Sequence, residues 1–127
     1  MENIGIGIDI VDVNQFTKMP VKTKSKFYKK IFSPAEIKYC LKYKNPYEHF
    51  AGKFAIKEAV KKSIADKISM SDIETHHIKL KPHVRLRNSK KKYSFYVSVS
   101  HEKNLAVAVV ISKIDNKNKY SKKPSIM

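Results

Sequence analysis

The sequence has one cysteine, no tryptophan and three glycines, and it has no long hydrophobic run. Because Cys40 has no second cysteine to pair with, an internal disulfide and a cysteine metal cluster are both excluded. We expect Cys40 to be a small buried residue on a helix. No apolar stretch is long enough for a transmembrane helix, and Met1–Asn3 lacks the basic region of a signal peptide. We therefore expect no membrane association and a cytoplasmic location, or an organelle if a presequence was removed.

Acidic residues are scarce as well: 11 stand against 27 basic residues, which gives a formal net charge of +16. Such a charge attracts polyanions, whether nucleic acid, an anionic membrane, an acidic protein or a phosphorylated substrate. Only Arg85 and Arg87 are arginines, and proteins that read base edges rely heavily on the bidentate guanidinium group. Much of the lysine excess is explained equally well by nucleotide composition, since isoleucine and asparagine are also abundant.

The 127 residues are enough for one domain with a small core. A site shared between subunits would relieve the shortage of space for an active site. We expect a single domain over residues 1–114. Residues 115–127 are polar and rich in lysine, and we expect them to form a flexible tail.

Residues 4–11 alternate strictly between isoleucine and small or acidic residues, which predicts a half-buried β-strand. We expect the isoleucines to form the core face. The opposite face carries Gly5 and Gly7, which leave the backbone bare, and then Asp9. A ligand could approach that face.

Residues 13–35 contain no acid and are expected to be partly helical. Ser33 and Glu36 have the spacing of a capping box, with Pro34 at the first helical position, and predict a helix that ends near residues 43–45. Residues 46–65 give the longest helical pattern. Its wide apolar face comprises Phe50, Ala51, Phe54, Ala55, Ala59 and Val60.

After residue 72 the hydrophobic period changes to two. Residues 78–86 indicate one strand region interrupted by Pro82, and residues 88–90 indicate a turn. Residues 93–99 and 105–112 predict two strands joined by a short connection at 101–104, as in a hairpin. The order of one strand, several helices and then antiparallel strands predicts an α+β fold.

Three residues have the chemistry of a phosphate site. Glu58 and Lys62 lie four residues apart and share a helix face, while Asp9 ends the glycine face of the first strand. Two carboxylates with lysines nearby suit Mg²⁺ and a diphosphate. The alternatives are an ordinary exposed aspartate and a surface ion pair.

Histidines give weaker signals. His101 at a strand end could bind phosphate or be a turn residue without a role. His76 and His77 are adjacent and point to opposite faces of a strand, so they lack the spacing of a zinc site.

Four motifs, in order, resemble the holo-[acyl-carrier-protein] synthase family, the small trimeric type of 4′-phosphopantetheinyl transferase. They are Gly-Ile-Gly-Ile-Asp-Ile-Val at 5–11, Phe-Ser-Pro-Ala-Glu at 32–36, Ala-Gly-Lys-Phe-Ala-Ile-Lys-Glu-Ala-Val-Lys-Lys at 51–62 and Val-Ser-Val-Ser-His-Glu at 97–102. The resemblance covers residues 4–112. Each motif is weak alone, but four in register are strong evidence.

The resemblance implies an antiparallel sheet curled against a long central helix, and a homotrimer with active sites at subunit interfaces. It implies transfer of 4′-phosphopantetheine from coenzyme A to a serine of an acidic apo-acyl carrier protein, with release of 3′,5′-ADP, for fatty acid synthesis. Asp9 and Glu58 would hold Mg²⁺, and Lys62 would contact the transferred phosphate. Either Glu58 or a water molecule on the metal could accept the serine proton.

The same resemblance assigns two further sets of residues. The coenzyme A-binding set is Lys53, Lys57, Lys62, Pro82 and His101. The carrier-protein docking set is Gln15, Lys18, Lys22, Lys24 and Lys26.

Some residues depart from the family pattern. Gln15 stands where an arginine is frequent, which puts the usual carrier contact in doubt. Lys53 replaces the arginine of the central motif and loses the bidentate geometry. Pro82 follows Leu80-Lys81 where Gly-Lys is common, so that adenine recognition could differ.

A nucleic-acid-binding module is the alternative. Tyr93, Phe95 and Tyr96 follow Lys90–Lys92, and such a mixture of aromatic and basic residues can stack single strands. The scarcity of arginine and the lack of a known RNA-binding signature disfavour it.

Overall fold

The computed structural model describes residues 3–115. Its elements, in chain order, are β1 (Ile4–Asp12), α1 (Asn14–Thr17), α2 (Ser25–Ile31), α3 (Pro34–Leu41), α4 (Pro46–Ser63), a 3₁₀ turn (Met70–Asp72), β2 (Ile73–Ile78), β3 (Lys81–Leu86), β4 (Tyr93–Glu102) and β5 (Leu105–Ile114). The predicted tail lies, from residue 116 onward, outside the described residues. Within residues 3–115, no helix has the length and apolar character needed to cross a membrane.

An antiparallel sheet of three strands, in the order β1-β5-β4, forms the centre of the fold, and β2 and β3 form a separate hairpin. The 18-residue helix α4 packs across one face of the sheet, against β1 and β5. Ala106, Ala108 and Val110 of β5 are buried on that face. The predicted α+β class, with an antiparallel sheet packed on a helix, is confirmed.

The structure reverses the predicted burial of the two faces of β1: the glycine face is covered and the isoleucine face is exposed. Gly5 and Gly7 face α4 so closely that a Cβ at either position would collide with the carbonyl oxygen of Ser63 or Ala59. The isoleucines point the other way, and Ile6 and Ile10 are 66% and 61% exposed. Alternation distinguishes two faces without saying which one is covered. Here the glycine face is covered because it admits a helix backbone.

The strand expected over residues 78–86 is also corrected. The chain turns at Lys79 and Leu80, which have φ angles of 50° and 70°, and Pro82 lies inside β3, opposite His77. Because β3 pairs with β2 alone, a proline without an N–H is tolerated on its other edge. The turn went unrecognised because it lacks the glycine or asparagine that usually marks positive φ.

The hairpin of β4 and β5 forms as predicted, with a shorter turn. β4 extends through His101 and Glu102, so the turn is confined to Lys103 and Asn104. Lys103 has a φ of 55°.

The helix start at Ser33 is confirmed, and its capping glutamate has a second role. Glu36 Oε1 accepts from the Ser33 N–H at 2.8 Å, while the Glu36 N–H donates to Ser33 Oγ at 3.1 Å. α3 ends at Leu41, earlier than predicted. Cys40 is buried as expected, and burial raises the pKa of its thiol to about 12.

Glu36 is also the centre of a buried polar network. Its carboxylate accepts from Lys57 Nζ at 2.8 Å and from the N–H and hydroxyl of Thr75 at 2.7 Å each. The Thr75 hydroxyl in turn accepts from Lys53 Nζ at 2.8 Å. Burial acts to raise the pKa of Glu36, but the charge of Lys57 and these hydrogen bonds hold it below its usual value. The network joins α3, α4 and β2.

A cluster of aromatic rings attaches the lysine-rich segment to α4. Tyr28 packs against Phe16 and Phe50 with ring centroids 6.1 and 4.8 Å apart. Its hydroxyl donates to the carbonyl of Met19 at 2.7 Å. This packing fixes α1 and α2, so their lysines are held at defined positions on the surface.

We predict that Lys57→Met destabilises the fold by about 3–5 kcal/mol, because it leaves the Glu36 carboxylate buried without a counter-charge. The measurement is urea unfolding at fixed protein concentration. Lys61→Met, at an exposed position on the same helix, is the matched control and should change the free energy of unfolding by less than about 0.5 kcal/mol. Equal losses in the two variants would contradict a stabilising role for the ion pair.

Candidate active site

The glycine face of β1 brings Asp9 to the last turns of α4. Lys62 Nζ lies 3.0 Å from Asp9 Oδ1 and also donates to the carbonyl of Ile8 at 3.0 Å. The Asp9 side chain is 15% exposed, and that of Lys62 is 54% exposed. The cross-element pair thus lies at the edge of the helix–sheet contact, where a ligand can reach it.

Glu58 precedes Lys62 by one helical turn and shares its face of α4. It is half-buried and has no hydrogen-bond or ion-pair partner within residues 3–115. The surface Glu58–Lys62 pair considered above does not form, because the ammonium group binds Asp9 instead. The structure therefore joins the Asp9 carboxylate to the Lys62 ammonium group and places Glu58 one turn before Lys62 on the same helix.

Asp9 and Glu58 are the oxygen donors available to the Mg²⁺ that the resemblance implies. The described part of the chain has no group of three or more histidine, cysteine, aspartate or glutamate side chains able to hold a metal ion. Mg²⁺ does not need such a cage, since one or two carboxylates suffice when water and substrate phosphates complete its coordination. Asp9 and Glu58 supply the oxygen ligands that Mg²⁺ prefers, so the residues fit the metal.

A second group of basic side chains lies beside the first half of α4. His101 packs over Gly52, and its Nε2 is 3.1 Å from the carbonyl oxygen of Glu48. Lys53 is 3% exposed. Burial lowers the pKa of His49, and the charges of His101 and Lys53 lower it further. Three groups that can carry positive charge therefore lie within electrostatic range of one another, an arrangement that suits an anion.

The strand register gives the separation of the two groups. Asp9 pairs with Ala108, which pairs with Val99, two residues before His101 on the same face of β4. Standard strand spacings then put the Cα atoms of Asp9 and His101 about 12 Å apart. Both lie on the side of the sheet that faces α4. One extended ligand with phosphates at two places could span them.

Lys57 does not belong to this site. Its side chain is 1% exposed, and Nζ donates to Glu36, to the carbonyl of Ile31 and, at 3.3 Å, to that of Met70. These acceptors use all three ammonium protons. The expectation that Lys57 contacts coenzyme A is wrong, because the central motif puts Lys57 on the face of α4 that meets α3 rather than on the face of Glu58.

Several aromatic residues near Lys53 were missed in the sequence. Lys53 Nζ lies 4.7 Å from the ring centroid of Tyr39, which stacks on His77 at 4.5 Å. Pro82 pairs with His77 across the hairpin, and His49 stacks on Tyr43 at 3.8 Å. Of these residues, only His49 could have been placed near Lys53 from the sequence, since it precedes Lys53 by one helical turn. The others meet through tertiary packing.

The docking residues taken from the resemblance all lie at the surface. Gln15 and Lys18 are exposed at α1, Lys22 and Lys24 in the following turn, and Lys26 on α2. Within residues 3–115, none of these four lysines forms an ion pair. Their charge is therefore available to an acidic partner.

The stacking surface of the nucleic-acid alternative is not present. Tyr93 donates to Asp66 Oδ2 at 2.7 Å and Phe95 packs against the core, so both are half-buried. Tyr96 points to the opposite face of the sheet and is 65% exposed. These three rings cannot stack together on one strand of nucleic acid.

Comparison with known proteins agrees with this geometry. Residues 5–110 match the family model described as the 4′-phosphopantetheinyl transferase superfamily. A holo-[acyl-carrier-protein] synthase of Thermodesulfovibrio yellowstonii is 38% identical over 110 residues, which cover 84% of this chain and 96% of the relative.

Solved structures are similar as well. The holo-(acyl-carrier-protein) synthase of Bacillus anthracis, in complex with CoA (3′,5′-ADP), superposes with a TM-score of 0.73 at 31% identity, covering 87% of this chain and 96% of its own. The Helicobacter pylori synthase in complex with coenzyme A gives a TM-score of 0.70 at 34% identity, covering 87% and 99%.

We predict that His77 makes the fold sensitive to acid. Burial, reinforced by the charge of Lys53, lowers the pKa of His77 to about 4, and its buried Nδ1 has no partner within the described residues. The unfolded chain binds a proton near pH 6.5, so stability should fall as the pH drops from about 6.5 to about 4, by up to about 1.4 kcal/mol per pH unit.

His77→Phe keeps the ring stack and should flatten this part of the profile of unfolding free energy against pH. His83→Phe, at an exposed position of the same hairpin, is the control. An unchanged slope in His77→Phe would contradict the assignment.

Proposed function

This chain belongs to the 4′-phosphopantetheinyl transferase superfamily, and we propose that it transfers 4′-phosphopantetheine from coenzyme A to a serine of apo-acyl carrier protein, releasing 3′,5′-ADP. The observation that carries the proposal is the Asp9–Lys62 pair, with Glu58 one helical turn away. Relatives named for this activity, and similar synthases in complex with coenzyme A, support it.

In the reaction, the serine hydroxyl oxygen attacks the β-phosphorus of the coenzyme A pyrophosphate. The bond from that phosphorus to the bridging oxygen breaks, and 3′,5′-ADP leaves with the electron pair. The serine proton would pass to Glu58 or to a water molecule. Asp9 and Glu58 would hold Mg²⁺. The metal, when bound, supplies positive charge that offsets the negative charge of the phosphates.

The side chains of this chain then have separate tasks. Lys62 places an ammonium group beside the transferred phosphate, where charge develops in the transition state. His101, which is exposed, would bind a phosphate at the other end of coenzyme A. The buried ammonium group of Lys53 would act on that phosphate only through its charge, without direct contact. Pro82 belongs to the hairpin beside this second group.

The lysines of α1 and α2 are proposed to attract the acidic carrier. Lys18, Lys22, Lys24 and Lys26 are exposed, so their contribution should be mainly to the association rate and should weaken with added salt. Gln15 would donate a neutral hydrogen bond where an arginine is frequent. We also propose fatty acid synthesis as the route served, in the cytoplasm.

The exposed face of the central sheet supports a homotrimer with active sites at subunit interfaces. The exposed apolar residues of this sheet face are Ile4, Ile6, Ile8, Ile10, Tyr96, Leu105, Val109 and Ile111. A contiguous apolar face of this kind is typical of an interaction surface. Because β1 is an edge strand of the central sheet, a second subunit on the isoleucine face would lie beside the edge that carries Asp9.

We expect Glu58→Gln to reduce carrier modification by at least about a hundredfold while coenzyme A binding is retained, because one metal ligand becomes neutral. The measurement is intact-mass spectrometry of the carrier after incubation with coenzyme A and Mg²⁺. Glu74→Gln, the same change on the β2–β3 hairpin, is the control and should keep full activity. If folded wild-type protein leaves several apo-carriers unmodified, the proposed activity is refuted.

Placing a charge on the apolar sheet face should dissociate the oligomer. We expect Ile6→Glu to shift the mass measured by light scattering from trimer to monomer and to lower activity in parallel, since a carboxylate would be buried at the interface. Ile78→Glu, which changes an isoleucine of similar exposure (51%) on the hairpin, should leave the mass unchanged. A monomeric wild type would overturn the trimer.

A further inference from the structure

A groove of about 710 Å³ lies between the end of α2 and the outer side of α3. Its lining residues are Lys29, Phe32, Pro34, Ile37, Lys38, Leu41 and Lys42. The apolar side chains form its floor and the lysines its rim, and no acidic residue lines it. The groove shares no residue with the candidate active site or with the docking residues named above.

The groove exists because α3 has two apolar stripes. The inner stripe, which includes Cys40, faces the core, and Glu36 on the same side binds Lys57. The outer stripe has Pro34, Ile37 and Leu41 at helical spacing, and Leu41 is 50% exposed. Ile37 is partly covered by the core, whereas Pro34 and Leu41 are exposed within residues 3–115.

The rim is positively charged without local neutralisation. Lys29 and Lys38 are exposed, and neither forms an ion pair within the described residues. Lys42 Nζ lies 5.3 Å from the ring centroid of Tyr39, which orients the ammonium group without neutralising it. A complementary partner must therefore present an apolar side chain flanked by carboxylates.

We propose that this groove docks a segment of the acidic carrier protein, with an apolar carrier side chain on Leu41 and Ile37 and carrier carboxylates on Lys29 and Lys38. This inference rests on the proposed function and extends the docking surface from α1 and α2 to α3. The groove is continuous with the proposed docking surface, because Lys29 follows Lys26 by three residues and lies on the same face of α2. A concave apolar floor fits an inserted side chain better than a flat lipid surface or a nucleic acid.

The experiment is steady-state kinetics with the carrier concentration varied, on the full chain. Leu41→Asp places a carboxylate where the acidic partner would dock, and Lys38→Glu reverses a rim charge. We expect each to raise KM for the carrier roughly tenfold, with kcat and the KM for coenzyme A changed less than about twofold. Because both residues are exposed, the fold should be retained.

Two controls make the result specific. Lys67→Glu gives the same change of charge at an exposed position outside the groove, and its KM for the carrier should stay within about twofold of wild type. Leu41→Met keeps an apolar side chain and should restore most of the affinity lost in Leu41→Asp.

The other outcomes are distinguishable. If wild type modifies the carrier but both variants keep its KM, the groove assignment fails while the proposed function stands. If wild type modifies no carrier, the proposed function itself fails. A change of oligomeric mass in Leu41→Asp would make the groove an interface between copies. Loss of binding to anionic vesicles, with an unchanged KM for the carrier, would make it a membrane contact. Either result overturns the proposal.

Discussion

The backbone of α4 lies directly against the backbone of β1, because Gly5 and Gly7 place no side chain in the contact. Most of the candidate active site depends on this approach. It brings Asp9, the next residue on the same face, within 3.0 Å of Lys62. It also turns the isoleucines of β1 outward, so that one short strand supplies both the carboxylate proposed to hold Mg²⁺ and the apolar face proposed for subunit contact.

A second constraint acts on the face of α4 that meets α3. The buried Glu36–Lys57 pair joins α3 to α4, and Thr75 adds β2 to the same network. Buried pairs of this kind contribute little net stability over apolar packing, but they fix register, since a shifted element would leave a charge unpaired. Here the register holds Lys53, Tyr39 and His77 together beside His101. The carboxylate of Glu36 thus both caps α3 and positions the residues around Lys53.

The large positive charge is divided among lysines with different roles. Lys53 and Lys57 are buried and belong to the interior network. Lys62 lies at the site, while the lysines of α1, α2 and α3 surround exposed surfaces without acidic neighbours. Under the proposed function, these separate locations would let the excess of lysine contribute both to coenzyme A binding and to the attraction of an acidic carrier protein.

Local patterns in the sequence were sufficient for the class of fold, the start of α3, the long helix and the later strands, because capping and hydrophobic periodicity act over a few residues. They also nominated Asp9, Glu58 and Lys62 as site residues, since those side chains belong to motifs with fixed spacing, and the structure joins Asp9 to Lys62. The tertiary structure alone decided which face of β1 is covered, because alternation is symmetric until a helix packs on one side. It also removed Lys57 from the site and added His49, Tyr39 and His77, because whether a lysine or histidine meets solvent, a carboxylate or a ring depends on elements distant in the chain.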